Sequence, residues 1–177
     1  FRYSTGYFRQ RISADGWQME EYVRFPIGET PLERARTPQG APCTITVPLA
    51  HRAVQAAVWL LKLGRVRLYL LDTDVEENSP WDRELSARLY VSEHEARLQQ
   101  EIILGIGGVR ALRAVGLSPN VWHLNEGHAA FVVLERIRET LEAGESFAAC
   151  LDRVRKTTVF TTHTPVPAGH DRFNAHL

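Results

Sequence analysis

Lysine is almost absent from this sequence. Of its 21 basic residues only Lys62 and Lys156 are lysines, and the rest are arginines. Chemistry that needs a side-chain amine therefore has two candidates. Cysteine is as scarce. Cys43 and Cys150 lie far apart and form no CxxC pair, which argues against a zinc or dithiol redox motif. They read as two buried thiols of a reducing cytoplasm. No apolar run approaches the roughly 20 residues that span a bilayer, and no signal-peptide pattern opens the chain. The seven histidines include no HExxH and no His/Cys cluster, so no metal site is expected. Neither sign of charge is in excess: 21 acidic residues balance 21 basic ones. That leaves no electrostatic reason to expect nucleic acid or an anionic membrane as partner. What remains is a globular composition, 44% hydrophobic and 24% charged over 177 residues.

The chain begins directly in FRYSTGYFRQRI and stops at DRFNAHL. Neither end has the polar, flexible character of a domain edge, and the expectation is an internal fragment. The first 25 residues alternate aromatic and polar side chains around Ala14-Asp15-Gly16, which predicts a β-hairpin. Four prolines and two glycines make 26–42 a loop. Residues 44–49, 53–61 and 66–71 read as strands, with a tight turn at Gly64-Arg65. The run 66–71 is nearly all apolar, which predicts a strand buried on both faces in a parallel sheet. Residues 78–90 read as a short helix or turn.

Ser92-Glu93-His94-Glu95 fits a capping box, with Ser92 as N-cap. Leu98, Ile102, Ile106, Val109 and Leu112 then recur at helical spacing up to Gly116. A strand is predicted at 121–124. A helix follows over 128–143, with Phe131, Leu134, Ile137 and Leu141 on one face. Ser146 caps a further helix to Lys156, and a strand follows at 158–162. Alternation of this kind argues for an α/β fold with a Rossmann-like parallel sheet and an antiparallel β extension. The division expected is a β-rich segment at 1–65 and an α/β segment at 66–177, both parts of one incomplete lobe.

Two strand ends carry polar residues suited to chemistry. The first is VWHLNEGHAAF, residues 121–131, with Asn125, Glu126, Gly127 and His128 where a strand passes into a helix. The second is VFTTHTPVPAGHDRF, residues 159–173, with Thr161, Thr162, His163 and Thr164, then a Pro/Gly loop to His170-Asp171. In open α/β sheets ligands bind beyond the carboxyl ends of strands. Asn, Glu, His and Thr supply the donors and acceptors that a hydroxyl-rich ligand needs. Helix capping and a polar turn would explain the same residues equally well. His123 is expected to point away from Asn125. His51 and His94 read as surface residues. The glycines of LGIGGVRAL, 104–112, fall inside a helical repeat, so they read as close helix packing rather than a nucleotide fingerprint. Asp72, Asp74, Glu76 and Glu77 read as a solvated turn rather than an acid/base pair.

These segments form a set. GYFRQRISADGWQMEEY (6–22), LYLLDTDVEEN (68–78), RLQQEIILGIGGVRALRAVGL (97–117) and the two strand-end motifs resemble the α-glucan phosphorylases. The resemblance runs in order over almost the whole chain. It is greatest to the shorter bacterial and archaeal branch, in which NEGH and THTPVPAGHD are characteristic. It implies part of the N-terminal lobe of a GT-B-type glycosyltransferase. The parent would carry out reversible phosphorolysis of α-1,4-glucan to glucose 1-phosphate, with inorganic phosphate as co-substrate. Pyridoxal phosphate would be its cofactor, bound through a lysine outside this chain, because neither Lys62 nor Lys156 sits in a matching context. The resemblance makes His163 and His128 catalytic. It places Asn125 and Glu126 in the glucosyl pocket, with Thr164 supporting His163, and puts the carbonyl of His163 near the positive charge that develops on the sugar. It implies no metal. Preferred glucan and oligomeric state stay open. Two other readings are a non-catalytic carbohydrate-binding α/β module and a metal-dependent sugar hydrolase.

Overall fold

The computed structural model describes residues 1–5, 8–89, 91, 93–166, 172–174 and 176. Its longest strand organises the first half. β4 (Thr44–Leu49), β5 (Arg52–Leu63) and β6 (Val66–Asp72) form an antiparallel meander, and β5 also pairs with the short strand β3 (Glu33–Arg34). β4 alternates exposed threonine or proline with buried Ile45, Val47 and Leu49, the period-two pattern of a sheet with one dry face. The predicted hairpin is present as β1 (Arg9–Ile12) and β2 (Gln18–Glu21), with all eight strand residues exposed. Gly16 at φ 83° and Gly64 at φ 61° supply the left-handed turns of the β1–β2 and β5–β6 hairpins.

The expectation for the third strand fails. β6 is antiparallel to β5, and Val66 and Leu68 are exposed rather than doubly buried. Only its carboxyl end enters the core, and there it brings a charge with it. Asp72 is 3% exposed, so it is no solvated turn. It accepts hydrogen bonds from Arg2 Nε at 2.6 Å, Trp59 Nε1 at 3.1 Å and Ser86 Oγ at 3.3 Å. A buried carboxylate with that many donors is satisfied. Glu76 and Glu77 are exposed, as expected.

Residue 79 caps α1 (Pro80–Arg83) through its serine hydroxyl, with proline in the first turn. The long helix α2 (His94–Ala114) follows. Its N-cap is Glu93, whose side chain makes no cap, and the carboxylate of Glu95 accepts from Gln99 one turn on. The expected capping box rests on Ser92, which lies outside the described residues. The rest of the chain runs β7 (Trp122–Asn125), a 3-10 turn (Gly127–Ala129), α3 (Val132–Glu142), α4 (Phe147–Lys156) and β8 (Thr158–Thr161). Ser146 caps α4, its hydroxyl accepting from the Ala149 amide. β7 and β8 form a two-stranded parallel sheet, separate from the meander. Among the described residues the fold is therefore mixed α/β with three sheets.

α2 is the hub. One side packs on β4, β5 and β6 through Ile103 and Ala111. The other packs on Trp122, Leu124 and Val132 through Val109. α3 and α4 close a third small core around Ile137, Cys150 and Val154. Both cysteines are free and buried. The expected apolar stripe of α2 holds, with Val109 buried and Ile102, Ile106 and Leu112 packed against the cores, and that of α3 holds only in part. On α2 the buried positions include Ala96, Gln99, Gln100, Gly105 and Gly107, because a helix gripped from two sides buries its small residues where backbones meet. On α3, Leu134 and Leu141 are exposed, and Glu135 and Arg136 are buried in their place. Glu135 is held by Arg110 at 2.7 Å and Arg138 at 2.8 Å, and the Arg136 guanidinium lies 5.0 Å over the Trp122 ring. Paired charges can occupy positions that a hydrophobic count assigns to leucine.

The helix glycines are a packing device, and they differ. A Cβ on Gly105 would stand 2.6 Å from Phe131 Cβ and 2.8 Å from the Val132 amide nitrogen, where backbone must move. A Cβ on Gly107 would press on Ile45, Val47 and Leu71, while one on Gly108 meets nothing within 4 Å. Gly105→Ala is expected to destabilise by about 1–3 kcal/mol as an overpacked contact. Gly108→Ala is expected to stabilise by up to about 1 kcal/mol through helix propensity. Denaturant unfolding of the two variants checks this, and equal shifts of one sign would contradict it.

Candidate functional site at the ends of the parallel strands

β7 and β8 run side by side in register, Asn125 opposite Thr161. Both end at the same edge, and the two motif segments leave the sheet there together. β7 alternates: Trp122 and Leu124 are buried against α2 and α3, His123 and Asn125 are exposed. The exposed face of the pair carries His123, Asn125 and Thr161 around an exposed Val159, with its polar groups gathered towards the carboxyl ends of the strands.

The backbone breaks at Glu126. Its φ of 62° and ψ of −175° lie in a region that essentially only glycine occupies. Its amide N–H still donates to the Thr161 carbonyl at 2.8 Å, which continues the sheet for one more bond. The unusual backbone turns the side chain inward, where it is 4% exposed. There one oxygen, Oε1, accepts three hydrogen bonds: from the His163 amide at 2.7 Å, the Thr164 amide at 2.8 Å and the Thr164 hydroxyl at 2.9 Å. A strained conformation of this kind persists only where its surroundings over-determine it, and such residues cluster at functional sites. Here the surroundings are the four bonds between Glu126 and the segment 161–164.

These donors favour the charged carboxylate. The His163 amide first, then the Thr164 hydroxyl, hold its pKa down at about 2, against an ordinary value of 4.5. The folded pKa is depressed, so the charge contributes stability at all pH above the ordinary value. That contribution is lost as pH falls through the folded value. The Glu126 carboxyl is expected to titrate near pH 2 in a carbon-detected NMR titration. An inflection at 4.5 would mean that the tether does not exist.

Tethered in this way, the His163 side chain stands over the sheet edge. Its Nε2 lies 3.1 Å from Asn125 Oδ1 and its Nδ1 lies 3.3 Å from Glu126 Oε1. The ring remains mostly solvent-accessible. Asn125, Glu126, His163 and Thr164 thus form one constellation: an accessible imidazole and amide, backed by a buried carboxylate. His128 stands apart from it. It sits on the 3-10 turn, and Arg97 Nη2 of α2 donates to its Nδ1 at 2.6 Å. With Arg97 and Glu101 it borders a small cleft of about 160 Å³ that also touches Phe1 and Tyr3. His170 and Asp171 lie outside the described residues.

Reading the sequence misplaced His123. Residues two apart on a strand share a face. His123 is therefore on the same exposed face as Asn125, and its Nε2 lies 2.7 Å from Thr161 Oγ1. The pairing of Arg97 with His128 had no signal in the sequence, because it joins residues 31 positions apart. Among the described residues no group of three or more His, Cys, Asp and Glu could hold a metal ion, and no helix is long and apolar enough to cross a membrane.

No protein-family model matches the chain. Individual proteins do. The chain is 50% identical over 171 residues to a maltodextrin phosphorylase of Thermococcus litoralis, covering 97% of the chain and 21% of that protein. It is 48% identical over 178 residues to a glycogen phosphorylase of Mycobacterium tuberculosis, again 97% of the chain and 21% of the relative. A glycogen phosphorylase of Aquifex aeolicus is 37% identical over 177 residues, covering 26% of its own length. The chain spans about a fifth to a quarter of the length of these relatives. Over nearly its whole length, then, the sequence is similar to one stretch of the maltodextrin and glycogen phosphorylases.

Proposed function

We propose that this chain supplies the glucosyl-binding corner of an α-glucan phosphorylase. The parent would cleave α-1,4-glucan with inorganic phosphate to give glucose 1-phosphate. The observation that carries the reading is the Glu126 tether. One buried carboxylate binds the His163 and Thr164 backbone across two strand ends and leaves an imidazole and an amide facing solvent. Such rigid, short polar groups suit sugar hydroxyls. In this reading His163 reaches the hydroxymethyl oxygen of the glucosyl unit and Asn125 lies beside it. The His163 carbonyl points to where positive charge develops as the glycosidic bond breaks. Pre-set dipoles contribute most where charge appears. Glu126 and Thr164 position that carbonyl. His128, gripped by Arg97, would act from the neighbouring cleft rather than through His163.

The parent would have the two lobes of a GT-B enzyme. Residues 1–65 and 66–177 would be parts of its N-terminal lobe, joined by the β5–β6 pairing, with β7 and β8 in a larger Rossmann-like sheet. Its place would be the cytoplasm. Pyridoxal phosphate is the cofactor the reading implies, and the lysines of this chain do not fit it. Lys62 is exposed at the end of β5 and paired with Glu33 at 3.0 Å. Lys156 is exposed at the end of α4 and paired with Asp152 at 2.6 Å. The cofactor's lysine would lie elsewhere in the parent. The test is glucose 1-phosphate release from maltoheptaose by the full-length protein with pyridoxal phosphate, beside this chain alone. Activity in the full-length protein only is expected. Saccharide binding with activity in neither would leave a carbohydrate-binding module.

A further inference from the structure

We infer that His123 is a positioning residue for the site, acting through Thr161. This rests on the reading of His163 as a sugar-facing residue. The observations are a diagonal ladder. On the exposed face of the parallel pair, each of two β7 side chains reaches a β8-side residue offset from its direct neighbour. His123, paired with Val159 in register, reaches Thr161, and Asn125, paired with Thr161, reaches His163. Thr161 is therefore gripped twice. Its hydroxyl lies 2.7 Å from His123 Nε2, and its carbonyl accepts from the Glu126 amide at 2.8 Å. That second bond belongs to the residue with glycine-like backbone angles, whose carboxylate holds His163 and Thr164.

The consequence is mechanical. Thr161 is the last residue of β8, and the next two residues carry the chain to His163. A threonine χ1 is restricted by its branched Cβ, and a hydroxyl bonded to a ring on a neighbouring strand fixes it further. The bond locks the strand end against β7 just before the chain turns into the site. It also occupies the hydroxyl beside Asn125, which keeps the Asn125 amide free for His163. His123 stays exposed on its strand, so its packing adds little to the core. Its effect is expected in the geometry of the site and in turnover, with little change in global stability.

The experiment is a double-mutant cycle in the full-length protein with pyridoxal phosphate, measured as phosphorolysis of maltoheptaose. His123→Ala and Thr161→Val are each expected to lower kcat about fivefold, the scale of one ordinary hydrogen bond. KM for the glucan and thermal midpoint are expected to stay put. The double variant should be no worse than either single one, because both remove the same bond. His123→Gln, whose amide can occupy the place of Nε2, should restore most of the rate. Full kcat in His123→Ala, or additive losses in the pair, would overturn the inference while a dead His163→Ala leaves the site reading intact. Full activity in His163→Ala would overturn that reading instead.

Discussion

Alanine at position 126 is expected to lower phosphorolysis by the full-length protein about a hundredfold or more, the size of effect that a displacement of about 1 Å at a reacting centre produces. Three donors lose their acceptor at once, two of them backbone amides of the residues that form the site. Among the described residues nothing else bonds these groups, so the 163–164 backbone is released where it has to be held. The position also carries backbone strain, at φ 62°. Alanine keeps that strain and removes what opposes it, whereas glycine removes both. Glu126→Gly is therefore expected to be as inactive as Glu126→Ala but more stable to heat. Glu126→Gln keeps an oxygen acceptor without the charge, and charge-assisted bonds are about twice as strong as neutral ones. It should fall between, roughly tenfold down. Kinetics and thermal melts of the three variants separate tether from strain. Near-normal turnover in Glu126→Ala would remove the tether from the account.

The second large effect belongs to His163. Its ring is mostly exposed, and its side-chain contacts are to Asn125 and Glu126 at the sheet edge. Truncation therefore leaves the three cores untouched, and His163→Ala should keep its thermal midpoint. Its backbone amide still donates to Glu126, so the corner itself survives. What is lost is the imidazole. If that ring binds the sugar in the transition state, turnover should drop about a hundredfold. KM should change far less, because an interaction strengthened in the transition state appears in kcat. A rise in KM at constant kcat would mean that His163 only binds ground-state sugar.

Much of this arrangement is legible in the residues, and the illegible part has physical causes. The strand and helix order after residue 66 follows from local signals: Ser146 and Gly144 set the bounds of α4 and α3, and Gly116 follows α2 in a left-handed turn. The role of the α2 glycines was also local, because three glycines inside a helical repeat need a neighbour that comes close, and Gly105 and Gly107 have one. The direction of the third strand was legible only from the tight turn at Gly64-Arg65, which joins antiparallel strands, and not from its composition. An apolar run such as 66–71 looks the same in a parallel sheet and in a meander, and only its pairing with β5 decides. The stripe of α3 is only partly legible, because Glu135 and Arg136 are buried as paired charges while Leu134 and Leu141 are exposed. Asn125, Glu126, His163 and Thr164 could be named from their motifs. That a single Glu126 oxygen joins three donors could not be, since those partners are 37 and 38 residues away. The face of His123 was available from strand periodicity alone.

The most direct test is a crystal structure of the full-length protein with a maltooligosaccharide or glucose 1-phosphate bound. The account predicts a glucosyl ring seated over the ends of β7 and β8, its hydroxymethyl group in hydrogen-bond reach of the His163 ring. Asn125 should lie beside it, and Glu126 should remain tethered beneath. A sugar found instead in the groove lined by Trp81, Leu85, Arg88 and Gln100, with the β7–β8 corner empty, would contradict it.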